Sequence, residues 1–204
     1  MIISYHGAEC FKISQGDLTL ALNPISKDSK LKPTRFGADI TLITTSDPDF
    51  NGRDQTSRGD KESFVIDGPG EYEIKDVFIK GFLSAGPGKK INMIYMISFE
   101  GMNLCFLGAL KDPALSTEIL EAIEDIDILF VPTGGGEMLD PASAYKLAVS
   151  LEPSIIIPMH YTETTLKQFL KEGGETKVES LDKFVVKKKD LEGKEGEIVV
   201  LKEE

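Results

Sequence analysis

Histidine is almost missing from this chain: of 204 residues only His6 and His160 carry an imidazole. Cysteine is equally scarce, with Cys10 and Cys105 alone, so the disulfide framework that staples small secreted domains is excluded. Both cysteines lie inside apolar runs, which reads as buried, inert thiols in a reducing compartment rather than a thiolate paired with a histidine. No apolar run approaches the ~18 residues that a membrane helix requires, and the opening Met1-Ile-Ile-Ser-Tyr-His6 lacks the basic flank and cleavable apolar core of a signal peptide. Neither membrane insertion nor export is expected, and the expected location is cytoplasmic. Basic residues are outnumbered, 23 Lys and Arg against 34 Asp and Glu for a formal charge of −11. That balance repels phosphate backbones, so nucleic acid is not an expected partner. Gly-x-Ser-x-Gly, His-Glu-x-x-His and Cys-x-x-Cys are all missing, which removes the common signatures of serine hydrolases, zincins and redox dithiols.

What is present is an ordinary globular composition, 41% hydrophobic and 28% charged, at a length that predicts one domain over residues 1–204. The first half is dense in β-type runs. Ile2–Tyr5, Cys10–Ile13 and Leu18–Leu22 form a meander, and Asp39–Thr44 is a buried strand that empties into Thr45-Ser-Asp-Pro-Asp-Phe-Asn-Gly52. Residues 51–62 are polar and turn-rich, an exposed connection or at most a short helix. Strands follow at Phe64–Ile66, Tyr72–Ile74 and Val77–Phe82, with Lys75-Asp76 suited to a hairpin turn. Ser84–Lys90 has the composition of a mobile loop, and it precedes strands at Asn92–Phe99 and Leu104–Leu107. The period then changes. Leu115, Ile119, Leu120 and Ile123 fall at helical spacing before the strand Ile126–Val131. Asp140 and Pro141 open a second helix that Pro153 ends, Ile155–Ile157 is a strand, and a third helix runs from about Glu163 to Lys171 before Gly173-Gly174. The tail returns to strands at Phe184–Val186 and Ile198–Leu201. Many strands covered by helices make this a layered α/β sandwich.

Few residues carry chemistry. His160 stands just beyond the carboxyl end of Ile155–Ile157, where open α/β sheets place ligand-handling groups, although a loop histidine can also be purely structural. His6, before Gly7, reads as a turn or packing residue that could still face the same cleft. Asp47 and Asp49 flank Pro48; two carboxylates at that spacing can converge on a hard cation, or can simply cap their own turn. Thr133-Gly-Gly-Gly-Glu137 lacks the Gly-Lys-Ser/Thr ending of a phosphate loop and places Glu137 where phosphate would be repelled, so its glycines read as backbone geometry.

Five segments nevertheless form a recognisable set: Ile3-Ser-Tyr-His-Gly-Ala-Glu-Cys-Phe-Lys-Ile13, Ala21-Leu-Asn-Pro24, Asp67-Gly-Pro-Gly-Glu-Tyr-Glu-Ile74, Asp127-Ile-Leu-Phe-Val-Pro-Thr-Gly-Gly-Gly136 and Glu152-Pro-Ser-Ile-Ile-Ile-Pro-Met-His-Tyr161. Together the chain resembles the small, bacterial-type zinc-dependent hydrolases of the metallo-β-lactamase fold, a branch related to the ascorbate-phosphate lactonases. The resemblance implies a four-layer αββα sandwich with a metal cleft along one edge. It also implies a ligand loop His-x-His-x-Asp-His, which falls on Thr45-Ser-Asp-Pro-Asp-Phe50 and keeps only Asp49. A further histidine falls near Ser84–Gly88, where there is none, and the bridging aspartate of Gly-Asp falls on Gly108-Ala109. Asn23 stands in place of a cleft aspartate. Of the implied metal ligands Asp49 and His160 remain, with Asp47 as an additional oxygen donor. Catalytic zinc needs about three protein ligands, mostly imidazole or thiolate, and an open position for water.

The expected function is therefore a non-catalytic binding or assembly module on a hydrolase-like scaffold, a pseudoenzyme with a degenerate metal site and no resident cofactor. The alternative is a residual metal-dependent hydrolase of a phosphoester, lactone or other small ester, holding one weakly bound zinc or manganese at Asp49 and His160. A homo-oligomer paired through sheet edges is a further reading, and the small-molecule ligand is undefined.

Overall fold

A computed structural model describes residues 1–123, 125–176 and 178–204. Short strands come first: β1 (Ile2–Tyr5), β2 (Phe11–Gln15), β3 (Leu18–Leu22), β4 (Ile40–Leu42), β5 (Phe64–Ile66), β6 (Gly70–Ile74), β7 (Val77–Ala85), β8 (Ile91–Phe99) and β9 (Met102–Phe106). Then α1 (Thr117–Ala122), β10 (Ile128–Pro132), α2 (Pro141–Ser150), β11 (Ile155–Met159) and α3 (Glu163–Glu172) alternate, before β12 (Phe184–Val185) and β13 (Glu197–Ile198). The strands form a six-stranded sheet, β12-β1-β2-β3-β4-β5, and a seven-stranded sheet, β13-β11-β10-β9-β8-β7-β6. Each sheet is mixed: β3, β4 and β5 run parallel in the first, and β9, β10, β11 and β13 run parallel in the second.

Alternation decides the layers. Ile3, Phe11, Leu20 and Leu42 of the first sheet meet Tyr95, Phe106, Phe130 and Ile157 of the second in one buried core, and the Phe11 and Phe130 rings cross the interface edge-to-face with centroids 4.8 Å apart. The opposite face of the second sheet, through Cys105, Leu129, Val131 and Ile156, packs under Ile119 of α1, Leu147 and Ala148 of α2 and Phe169 of α3. On the first sheet's outer face Thr41 bonds Thr56 and Ser63, so the covering there is the 51–63 connection with its single 3-10 turn, Arg53–Gln55. The expected sandwich is present, and its outer layer over the first sheet is made of loop and turn.

Local chemistry sets the element ends. Asp140 accepts from the N–H groups of Ala142 and Ser143 with Pro141 as the first helical residue, and Thr162 and Thr165 form a reciprocal cap on α3. Lys75 and Asp76 both take positive φ, 52° and 61°, the geometry of a tight hairpin that matches strand twist. Cys10 and Cys105 are buried, and burial pushes both thiols up to about 12, so neither is a thiolate nucleophile near neutral pH.

Several bounds differ from the sequence reading. Strand β7 continues to Ala85, so Ser84 is in a ladder and not in the loop. Strand β11 runs on through Pro158 to Met159. Proline is tolerated because the Ile156 carbonyl and the Pro158 nitrogen point to the β13 side, where pairing ends at Ile156↔Ile198, so no ladder donor is lost. The tail strands are shorter than expected, Phe184–Val185 and Glu197–Ile198, and they join different sheets. Among the described residues no helix is long and apolar enough to cross a membrane.

Candidate functional site

The carboxyl ends of β3, β4 and β11 converge on one edge of the sandwich. The chain leaves β3 through Asn23, whose φ of 41° is a conformation that asparagine tolerates better than most residues. Its side chain then holds the exit of β4: Asn23 Oδ1 accepts from the Thr44 N–H at 2.8 Å, and Asn23 Nδ2 donates to Thr44 Oγ1 at 2.8 Å and to Glu9 Oε2 at 2.8 Å. The Thr44 carbonyl in turn accepts from the Met93 N–H of β8 at 2.8 Å, and Tyr95 Oη donates to the Ile43 carbonyl at 2.9 Å. The loop is thereby fastened to both sheets.

His160 follows β11 with φ 52°, and its N–H donates to the Ala8 carbonyl at 2.7 Å. Gly134 is required here, because a Cβ at that position would come within 2.2 Å of the His160 carbonyl oxygen. Gly135 and Gly136 have φ of 72° and 69°. The glycine run therefore serves close approach and a sharp exit, as its sequence suggested.

The residue that the sequence reading did not single out is Glu9. It is completely buried, and its Oε1 lies 3.8 Å from His160 Nδ1, beyond hydrogen-bond length. Burial pushes the Glu9 carboxyl up to about 8 against the opposing bond from Asn23. Burial also lowers the His160 imidazole, while Asp49 and Asp47 pull it back up. At pH 7 the two groups are thus a neutral acid beside a neutral imidazole, not an ion pair. Glu9 Oε1, His160 Nδ1 and Thr45 Oγ1 are buried atoms with no hydrogen-bond partner among the described residues. The signal for Glu9 was a lone carboxylate inside the apolar run Ala8–Phe11.

Asp49 and His160 share one cleft of about 730 Å³, bounded also by Tyr5, Leu166 and Glu203. Asp49 accepts a hydrogen bond from Ser29 Oγ. Asp47 is paired with Lys90 and accepts from the Asp49 N–H at 3.0 Å; burial, which alone would raise its carboxyl, is outweighed by the ammonium and the N–H, so it is held below the usual range. Phe50 is 3% exposed, and its ring centroid is 5.7 Å from that of His160. Ala109 is buried, its N–H donating to Asn92 Oδ1 at 2.9 Å. Among the described residues no three His, Cys, Asp or Glu side chains are grouped so as to hold a metal ion. His6 does not enter this cleft; it stacks on Phe36 with ring centroids 4.9 Å apart and bounds a separate pocket.

Chemically, the buried Glu9 carboxyl faces the imidazole without bonding it, and His160, which lines the cleft, is the group there able to exchange a proton with a ligand near neutral pH.

Known proteins share this fold. A UPF0173 metal-dependent hydrolase of Listeria innocua is 25% identical over 197 residues, covering 79% of this chain and 85% of the relative. A Thermotoga maritima structure, described as a Zn-dependent hydrolase of the metallo-beta-lactamase superfamily, superposes with TM-score 0.78 and 27% identity over 98% of this chain and 97% of its own. A metallo hydrolase from Ignicoccus hospitalis shares the fold at TM-score 0.64 and 17% identity, over 91% of this chain and 99% of its own. The family described as "Beta-lactamase superfamily domain" matches residues 2–160, most of the sandwich with Asp49 and His160 included, and the chain belongs to the beta-lactamase superfamily.

Proposed function

We propose that this chain is a non-catalytic member of its superfamily, a binding module whose cleft at Asp49 and His160 takes a small molecule without a catalytic metal. The observation that carries the reading is Phe50. The resemblance places a histidine ligand at this position, and a buried aromatic ring packs against His160 there instead. An apolar ring offers no lone pair, so the metal position loses a ligand there.

The donor set supports the same conclusion. Catalytic zinc is held by about three imidazole, thiolate or carboxylate ligands. Here Asp47 is paired with Lys90 and Asp49 accepts from Ser29, and among the described residues no three His, Cys, Asp or Glu side chains are grouped so as to hold a metal ion. These residues do not fit a catalytic zinc. Metal analysis of the purified protein after dialysis tests this directly. Zinc and manganese are expected well below one ion per chain, and near-stoichiometric retention would overturn the proposal.

A second reading, a residual hydrolase with a single metal ion at Asp49 and His160, is favoured by one observation: both side chains line the same cleft. His160→Ala separates the two. With added Zn or Mn and generic phosphodiester, ester and lactone substrates, wild type and variant are expected to show the same background rate. A rate that depends on His160 would replace the binding module with an enzyme.

A further inference from the structure

The other histidine opens onto a different pocket, of about 540 Å³, bounded by residues 32–36, His6 and Glu204. Phe36 organises it. The His6 imidazole stacks on the ring at 4.9 Å between centroids, and the Lys12 ammonium lies 5.6 Å from the same centroid, a cation held by the ring's negative face. Lys32 and Arg35, both exposed, line the pocket, and the charges of Lys12, Lys183 and Lys32 all bear on His6. In a chain of net charge −11, this concentration of cations runs against the average surface.

One carboxylate faces it. Glu204 Oε2 is 3.7 Å from His6 Nε2, and Glu204 Oε1 is 3.3 Å from Lys183 Nζ. The first distance is too long for a hydrogen bond, and His6 Nε2 is a buried atom with no hydrogen-bond partner among the described residues. The neighbouring Glu203 lines the cleft of His160 and not this pocket. The side chain of Glu204 thus shows what chemistry the pocket accepts, without reaching every donor that surrounds it.

We propose that the pocket of His6, Lys32, Arg35 and Phe36 binds a small oxyanion, a phosphate or carboxylate group, with the Glu204 side chain as a weak internal competitor. The guanidinium supplies a planar fork and the ammonium groups supply point charges, the donor chemistry that oxyanions select. The site shares no residue with the cleft of Asp49 and His160, so it stands or falls independently of the function proposed there.

The scarcity of histidine makes the test simple, because the chain's two imidazoles give two sets of NMR signals. Inorganic phosphate and, in a separate arm, succinate are titrated into the protein at low, constant ionic strength and fixed pH, since exposed charges are screened by salt. The His6 signals are expected to shift saturably while those of His160 stay in place. Phosphate alone saturating identifies a phosphate site; both saturating identifies a general oxyanion site. Glu204→Gln is expected to tighten binding severalfold. Lys32→Ala with Arg35→Ala, both on exposed positions, is expected to weaken it about tenfold or more through lost charge-assisted hydrogen bonds. The proposal is overturned by the absence of a saturable His6 shift with either anion, by a shift that the double substitution leaves intact, or by parallel movement of His160. Unchanged affinity in Glu204→Gln overturns the role of that side chain as competitor.

Discussion

Glu9→Gln is expected to stabilise the protein by about 4 kcal/mol at pH 8 and to leave it nearly unchanged near pH 4.5, the carboxyl's ordinary value. Burial raises the folded carboxyl to about 8, so between the two values the folded chain retains a proton that the unfolded chain has released. The stability tied to this proton is complete below the unfolded value, declines as pH rises through the interval, and is lost above the folded value. Glutamine is neutral throughout, keeps an oxygen for Asn23 and turns an N–H toward His160, so it removes the decline. The two histidines act in the opposite direction. Burial lowers both His6 and His160, so as pH falls below about 6.5 the unfolded chain takes up protons that the folded chain resists, and stability drops. Wild type should therefore lose stability between pH 7 and 8, whereas Glu9→Gln should hold a plateau there. Urea unfolding followed by circular dichroism at a series of pH values reads this directly; parallel profiles for the two proteins would show that Glu9 is not held as a neutral acid.

The second large effect is a substitution toward the family pattern. Asn23→Asp restores the carboxylate that the resemblance places at the end of β3, and it is expected to destabilise this protein by about 3–5 kcal/mol at neutral pH. Asn23 Nδ2 is the donor to both Glu9 Oε2 and Thr44 Oγ1. Aspartate removes that donor and sets a second acid against a completely buried first one, with no Lys or Arg paired to Glu9 among the described residues to compensate. The damage should shrink in acid, where both carboxyls are protonated and no charge is left buried. It should also shrink when Glu9→Gln is added, because the glutamine amide at position 9 can donate to the new carboxylate. A double-mutant cycle is expected to show a coupling of about 2 kcal/mol. Additive effects would mean that residues 9 and 23 do not act as one buried unit.

These two residues also explain how far the linear reading reached. Asn23 was visible as a departure from the family pattern, but its consequence was not. Glu9 passed unmarked because the groups that define it, Asn23 and His160, arrive from the ends of β3 and β11, and a lone carboxylate in a short apolar run does not by itself say what it faces. The paired carboxylates were legible as residues and ambiguous as ligands. Asp47 turned out to be engaged by Lys90 and by the backbone of its own turn, which is the capping alternative, whereas Asp49 reached the cleft with His160. His6 could not be assigned to either pocket from its neighbours in the chain, since Phe36 and Glu204 decide its position.

Hydrophobic period, helix caps and turn chemistry are short-range properties, and they sufficed for the element types, for the Asp140 cap, for the Lys75-Asp76 hairpin and for two buried thiols. The recurring segments identified the sandwich and placed its cleft at the strand ends. Which polar atoms face one another there, which carboxyl keeps its proton at neutral pH, and which histidine meets which pocket were settled only when distant strands packed together, because electrostatics and loss of water depend on neighbours that sequence order does not reveal.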